Sequence, residues 1–116
     1  MADAAAPACL FCKIARGEIP AAIVRQDDRF VAFRDINPQA PVHVLAIPRA
    51  HVTSLNDAGD AVLGSLMGFA REVAKGEGLS EPGYRVVVNT NAHGGQTVFH
   101  LHAHVLGGRA MHWPPG

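Results

Sequence analysis

The stretch TVFHLHAHVLGG, residues Thr97 to Gly108, sets histidine at 100, 102 and 104. On an extended strand, neighbouring side chains point to opposite faces. The spacing therefore predicts one strand over 97–108, with His100, His102 and His104 on one face and Leu101, Ala103 and Val105 on the other. One face belongs to a core and the other is lined by imidazole.

Three chemistries compete for that face. Isolated core histidines with satisfied hydrogen bonds would suit any one ring, but three on one face is improbable by composition. Metal ligation is a second reading, because neutral imidazole is the commonest nitrogen ligand. On a straight strand, however, the outer two rings stand about 13 Å apart, at about 3.3 Å per residue, so two could share an ion and the third would be left over. The third reading is phosphoryl chemistry, in which one neutral ring attacks phosphorus while its neighbours hydrogen-bond the oxygens. Histidine titrates near pH 6.5, so one residue type serves as nucleophile and as charge neutraliser. The preceding HGGQT adds two glycines that let backbone N–H groups approach an anion, and the hydroxyl of Thr97.

Working outward, YRVVVN (84–89) reads as the strand before the histidine strand. From Asn56 to Lys75 the apolar positions Leu63, Leu66, Met67, Ala70, Val73 and Ala74 recur at three and four, predicting a helix capped by Asn56 or Asp57 and ended by Gly76 and Gly78. Ala61, Gly64 and Gly68 form a side-chain-poor strip on it, fitted either to the chain's own sheet or to a partner helix. VHVLAIP (42–48) is a strand, and AAIVRQ with RFVAFRDI reads as a hairpin turning at Asp27-Asp28. LFCKIARG predicts a short amphipathic helix closed by Gly17. The small-residue segment 1–8 is expected to be a flexible tail, leaving 9–116 as a single α+β domain.

The chain has 116 residues, enough for one core. Ten Lys and Arg balance ten Asp and Glu, which removes the long-range field that draws proteins to nucleic acid or anionic membranes. The opening MADAAAPACL lacks the pattern of a secretory signal and the apolar runs are short, so a soluble cytoplasmic protein is expected. Cys9 and Cys12, three apart, offer half of a tetrahedral zinc site or a redox pair. A redox motif usually follows a strand directly, and a small-residue tail precedes this one.

At HLHAHVL the chain matches the alternating signature of the histidine triad (HIT) superfamily. With FCKIARGEIPA, AFRDINPQAPVHVLAIPRAH and the MHWPPG terminus it resembles the histidine triad nucleotide-binding (HINT) branch over about Leu10 to Gly116. The resemblance implies a HIT-like fold, an antiparallel sheet of about five strands with one short and one long helix, and a homodimer. It implies binding of purine nucleoside monophosphates and hydrolysis of the P–N bond of adenosine and guanosine 5′-monophosphoramidates through a nucleotidyl-histidine. The alternative function is a non-catalytic module that binds purine nucleotides.

By position, His102 resembles the nucleophile, while His104 and Thr97 resemble phosphate ligands that also assist the leaving amine. Asn89, Gly95 and Gln96 fall with the phosphate contacts, and His100 and His43 with the supporting histidines. Asp35 resembles the acceptor of ribose hydroxyls. Leu10, Phe11, Ile14 and Phe33 resemble the base pocket, although the same residues read equally as ordinary core. Trp113 would reach towards the partner's site. Members carrying C-x-x-C bind zinc with two histidines in addition, here His51 and His100, as a structural ion that catalysis does not require. His93 and His112 are given no role.

Overall fold

The computed structural model describes residues 8–116; the expected tail lies outside them except for Ala8. Five strands form one antiparallel sheet in the order β1-β2-β3-β5-β4. They are β1 (Ile23–Gln26), β2 (Phe30–Arg34), β3 (Val42–Pro48), β4 (Tyr84–Val87) and β5 (Ala103–Gly107). The helices are α1 (Leu10–Ala15), α2 (Asp60–Gly76) and α3 (Asn91–Gly94). The expected α+β architecture is the observed one.

Period-two patterning divides the sheet into two working faces. Phe30 and Ala32 of β2, Val44 and Ala46 of β3, and Ala103 and Val105 of β5 pack with Leu66, Phe69, Ala70 and Val73 of α2. The intervening residues Val31, Phe33, Leu45 and Ile47 form a second cluster with Phe11 of α1. The functional histidines share this second face, where Phe11 packs edge-on against both His100 and His102. The hairpin turns where Asp27 Oδ1 accepts the backbone N–H groups of Arg29 and Phe30, both at 2.8 Å.

Three differences from expectation bear on the site. The histidine strand ladders only from Ala103, although its inside-outside alternation begins at His100. The β3–β5 register ends at Ala46↔Ala103, and Pro48, two residues on, has no N–H to extend it. The chain before Ala103 turns instead to the segment after β3, where the Leu101 N–H donates to the Val52 carbonyl at 2.6 Å. The long helix starts at Asp60 rather than near Asn56. Ser54 Oγ accepts the Asn56 N–H and closes a separate 3-10 turn, Leu55–Asp57, leaving Gly59 as the cap. The loop expected between the last two strands contains the single turn α3.

The small-residue strip is not backed by the chain's own sheet. A Cβ built on Gly64 meets nothing within 4 Å, and Ala61 and Gly64 are exposed. No helix among the described residues is long and apolar enough to cross a membrane.

Candidate active site and a thiol-imidazole corner

Five histidines run in a line across the face opposite α2. Ring centroids are 5.1 Å apart for His51–His100, for His102–His104 and for His43–His104. β3 supplies His43, the segment entering β5 supplies His100 and His102, and β5 itself supplies His104. His100 and His102 are buried together with His43, and His104 is partly exposed.

The chemistry of each ring follows from what its nitrogens touch. His102 Nδ1 lies 2.7 Å from the His100 carbonyl oxygen. A carbonyl only accepts, so Nδ1 carries the proton and the neutral ring keeps its lone pair on Nε2. His102 lines the cavity on this face, and Nε2 is the nitrogen left for it. His104 Nδ1 is 2.9 Å from His43 Nε2, and Asp35 Oδ2 stands 3.4 Å from the same His43 nitrogen. Burial pushes His104 down to about 4, helped by His102 and His43 and opposed by the Asp35 charge. Burial also lowers His43, again against Asp35.

The cavity has a volume of about 640 Å³, within the range of sites that enclose a small ligand. Asp35, Thr97, His102 and His104 supply polar lining, and Arg34 at its margin is held bidentately by Glu77 at 2.9 and 3.2 Å. The apolar wall includes all four expected residues, Leu10, Phe11, Ile14 and Phe33. They serve as wall and core at once, since Phe11 and Phe33 are buried and in edge contact at 5.5 Å.

The wall extends beyond the expected residues to the link Ile19–Ala22, Ile36, Leu45 and Val98. Ile36 is the most legible omission, as a large apolar residue fully exposed directly after Asp35. Ile19 and Pro20 belong to no regular element, and Ala21 and Ala22, expected at the start of a strand, lie just before β1.

The loop before the histidines is latched by Gln96. Its side chain is buried, its Nε2 donates to the Thr53 and Val98 carbonyls at 2.8 and 3.1 Å, and its Oε1 accepts the Asn91 N–H at 2.9 Å. Its backbone N–H is engaged as well, donating to the Asn91 carbonyl at 3.0 Å. Gly95 sits beside it with φ 83°, a left-handed conformation that favours glycine and ends α3. Asn89 lies under this turn, its backbone 3.7 Å from a Cβ built on Gly94. Asn89, Gly95 and Gln96 border the cavity's loop without lining it, and His43 and His100 stand behind the lining rings. Trp113 is 82% exposed and away from this chain's own cavity.

A second constellation adjoins the first. Cys9 Sγ lies 3.3 Å from His100 Nδ1, and Cys12 Sγ lies 3.3 Å from His51 Nδ1 and 3.5 Å from His100 Nδ1. One ligand atom from each of the four residues falls within 4.8 Å of all the others. Around zinc, with Zn–S of about 2.3 Å and Zn–N of about 2.1 Å, a tetrahedral S···N edge is about 3.6 Å, so the donors are spaced as such an ion requires. His100 Nε2 donates to the Pro48 carbonyl at 2.7 Å, which leaves Nδ1 bare towards the sulfurs. Burial pushes His100 down to about 4 despite that hydrogen bond.

A family model described as the HIT domain matches residues 16–111. A purine nucleoside phosphoramidase of Escherichia coli strain K12 is 50% identical over 105 residues, covering 88% of each chain. A HIT-like protein of Synechococcus elongatus is 54% identical over 110 residues, covering 92% of this chain and 96% of its own. Among solved structures, a HIT family hydrolase from Legionella pneumophila Philadelphia 1 superposes with a TM-score of 0.90 at 55% identity, covering 93% of this chain and 99% of that one. A histidine triad protein from Clostridium difficile gives 0.88 at 42% identity, covering 91% and 95%. The triad segment, the sheet that carries it and these likenesses agree, and the chain belongs to the HIT family.

Proposed function

We propose that this HIT-family hydrolase, of the phosphoramidase type, cleaves the P–N bond of adenosine and guanosine 5′-monophosphoramidates with His102 as nucleophile. The observation that carries this reading is the His102–His100 carbonyl bond, which leaves a neutral Nε2 lone pair at a cavity of nucleotide size. In the first step that pair bonds to phosphorus, the P–N bond breaks, and the amine leaves with the bonding pair and a proton taken from solvent. Water then bonds to phosphorus and releases a proton, and the His102–phosphorus pair returns to Nε2 as the mononucleotide departs.

The remaining lining divides by chemistry. His104 and the Thr97 hydroxyl are donors for phosphoryl oxygens, with Asn89, Gly95 and Gln96 in the loop beside them. Asp35 accepts from ribose hydroxyls. Leu10, Phe11, Ile14 and Phe33 enclose the purine.

We further propose that Cys9, Cys12, His51 and His100 hold a structural zinc ion. Four protein ligands close the coordination shell and leave no position for a reacting water, so the ion's contribution is to fold stability. A homodimer is part of the same proposal. It is supported by β4, an edge strand with one neighbour, by the open strip at Ala61 and Gly64, and by the exposed Trp113.

The deciding experiment incubates the protein with an adenylyl-amine and follows AMP release. The expected result is turnover that disappears in His102→Ala, with an adenylylated peptide containing His102 trapped by mass spectrometry. AMP binding with no turnover would replace the enzyme reading with that of a nucleotide-binding module.

A further inference from the structure

We infer that Arg49 is a positioning residue for the base, a clasp that sets where the Ile19–Ala22 wall of the cavity stands; this rests on the proposed use of that cavity for a purine mononucleotide. Arg49 follows β3 directly and does not line the cavity itself. Its guanidinium donates to three different residues. Nη1 meets the Ala15 carbonyl at 2.7 Å, Nε the Asp27 carbonyl at 2.8 Å and Nη2 the Gln26 Oε1 at 3.0 Å. Ala15 ends α1 and Gln26 ends β1. One planar fork therefore holds both ends of the stretch 16–25, which must run out and return between them.

Each contact has a local reason. Backbone N–H groups serve the Cys12, Lys13 and Ile14 carbonyls at the end of α1, at 3.0, 2.9 and 3.0 Å. The next carbonyl, that of Ala15, is served by the Arg49 side chain, and a cation is the favourable donor at a helix C-terminus. The fork has a rigid mount. Arg49 N–H donates to the Arg29 carbonyl at 2.8 Å, and the preceding Pro48 pairs with Phe30 at the end of the β2–β3 ladder, in the middle of the sheet.

The wall lies within the clasped stretch. Ile19, Pro20, Ala21 and Ala22 all line the cavity. Ala22 is tied to β2 directly, its carbonyl accepting the Arg34 N–H at 3.0 Å. Ile19, Pro20 and Ala21 lie between that tie and the Ala15 carbonyl, so the fork decides how closely they stand to a base. A chain whose wall stands correctly only part of the time binds more weakly in proportion to that fraction. His102 is outside the stretch, so the reacting atoms are untouched.

The test is calorimetric titration of the full chain with AMP and with CMP, which share ribose and phosphate and differ in the base. Arg49→Met keeps the stem and removes the fork. Its affinity for AMP should fall about tenfold, the size of one hydrogen bond to a charged group. Its affinity for CMP, whose single ring reaches less far towards the wall, should change much less. On an adenylyl-amine, KM should rise with kcat retained. In the free variant, hydrogen exchange should quicken at the Arg16, Gly17 and Glu18 amides and stay slow in the β3–β5 ladder. Arg49→Lys keeps the charge but cannot span three acceptors, so it should lie between the two, and it stands in if Arg49→Met does not fold. Unchanged AMP affinity in either variant would overturn the inference. So would equal losses for AMP and CMP, or exchange that quickens throughout the chain, since either makes Arg49 a general support. An unaltered chain that binds neither mononucleotide would instead sink the functional reading, and local exchange in the variants would still decide whether the clasp exists.

Discussion

Two histidine clusters lie side by side on one face of the sheet, one pairing its rings with two thiols and the other with a carboxylate, and they turn their protons in opposite directions. In the corner formed by Cys9, Cys12, His51 and His100, the His100 proton points outwards to the Pro48 carbonyl and the bare nitrogen points inwards at the sulfurs. In the group of Asp35, His43 and His104, a backbone N–H occupies the outer nitrogen of His43 and the proton points inwards. A backbone acceptor behind a ring makes a ligand, whereas a backbone donor behind it makes a donor. His102 follows the first rule, with a carbonyl behind it and a lone pair in front, aimed at a cavity instead of at thiols.

The sharpest break in this comparison is at the ring that serves the cavity. His102→Ala should lower the rate of P–N cleavage by at least about 10²-fold, because both covalent steps pass through Nε2. His51→Ala should instead retain kcat and lose bound zinc, as measured by metal analysis of the purified protein. Equal loss of activity in both variants would dissolve the distinction between the two clusters.

Chelation should come next in size. Removing zinc should lower Tm by several degrees, at about 4–8 °C per kcal/mol for a domain near this size, with turnover persisting at low temperature. Immediate loss of hydrolysis in a chain that is still folded would move the ion from structure to catalysis.

Acid acts on the carboxylate cluster through burial. Burial holds His104 near 4 when folded, against near 6.5 when exposed. Between these values the unfolded chain binds more protons, so its contribution is fully present above about pH 6.5 and is lost as pH falls towards 4. Thermal melts across that window should show a falling Tm, and a flat profile would mean that the ring is not held neutral by the fold.

The smallest effect should come from outside both clusters. Gly64→Ala fills open space on a helix and should stabilise the dilute monomer by about 1 kcal/mol. Sedimentation should show weaker self-association if a second copy packs on the strip, and no change if it does not.

Much of this was legible in the primary structure because periodicity reports burial directly. The alternation around His100, His102 and His104, the helical spacing from Leu63 to Ala74 and the seven residues of β3 all reappear in place. The places where reading failed are those where a distant partner overrode a local pattern. Pro48 and Val52 decide where β5 begins, yet they lie about fifty residues before it. Ser54 accepts the Asn56 N–H and closes a separate short turn where the helix was expected to begin. Gln96 reads as a phosphate contact by position, but its side chain is consumed by Thr53, Val98 and Asn91. The tautomers were beyond reach because no sequence pattern states which backbone group stands behind a ring.

Helix α1 is six residues long, too short to persist by its own hydrogen bonds in water. Its start is fastened by Cys9, which caps it and touches His100, and its end by Arg49, whose guanidinium holds the Ala15 carbonyl at 2.7 Å. Leu10, Phe11 and Ile14, which form a side of the cavity, hang between these two rivets. The shape offered to an incoming base is therefore only as firm as the fastening at each end, and slackening either one would be felt first as a change in grip, with the reacting nitrogen still in place.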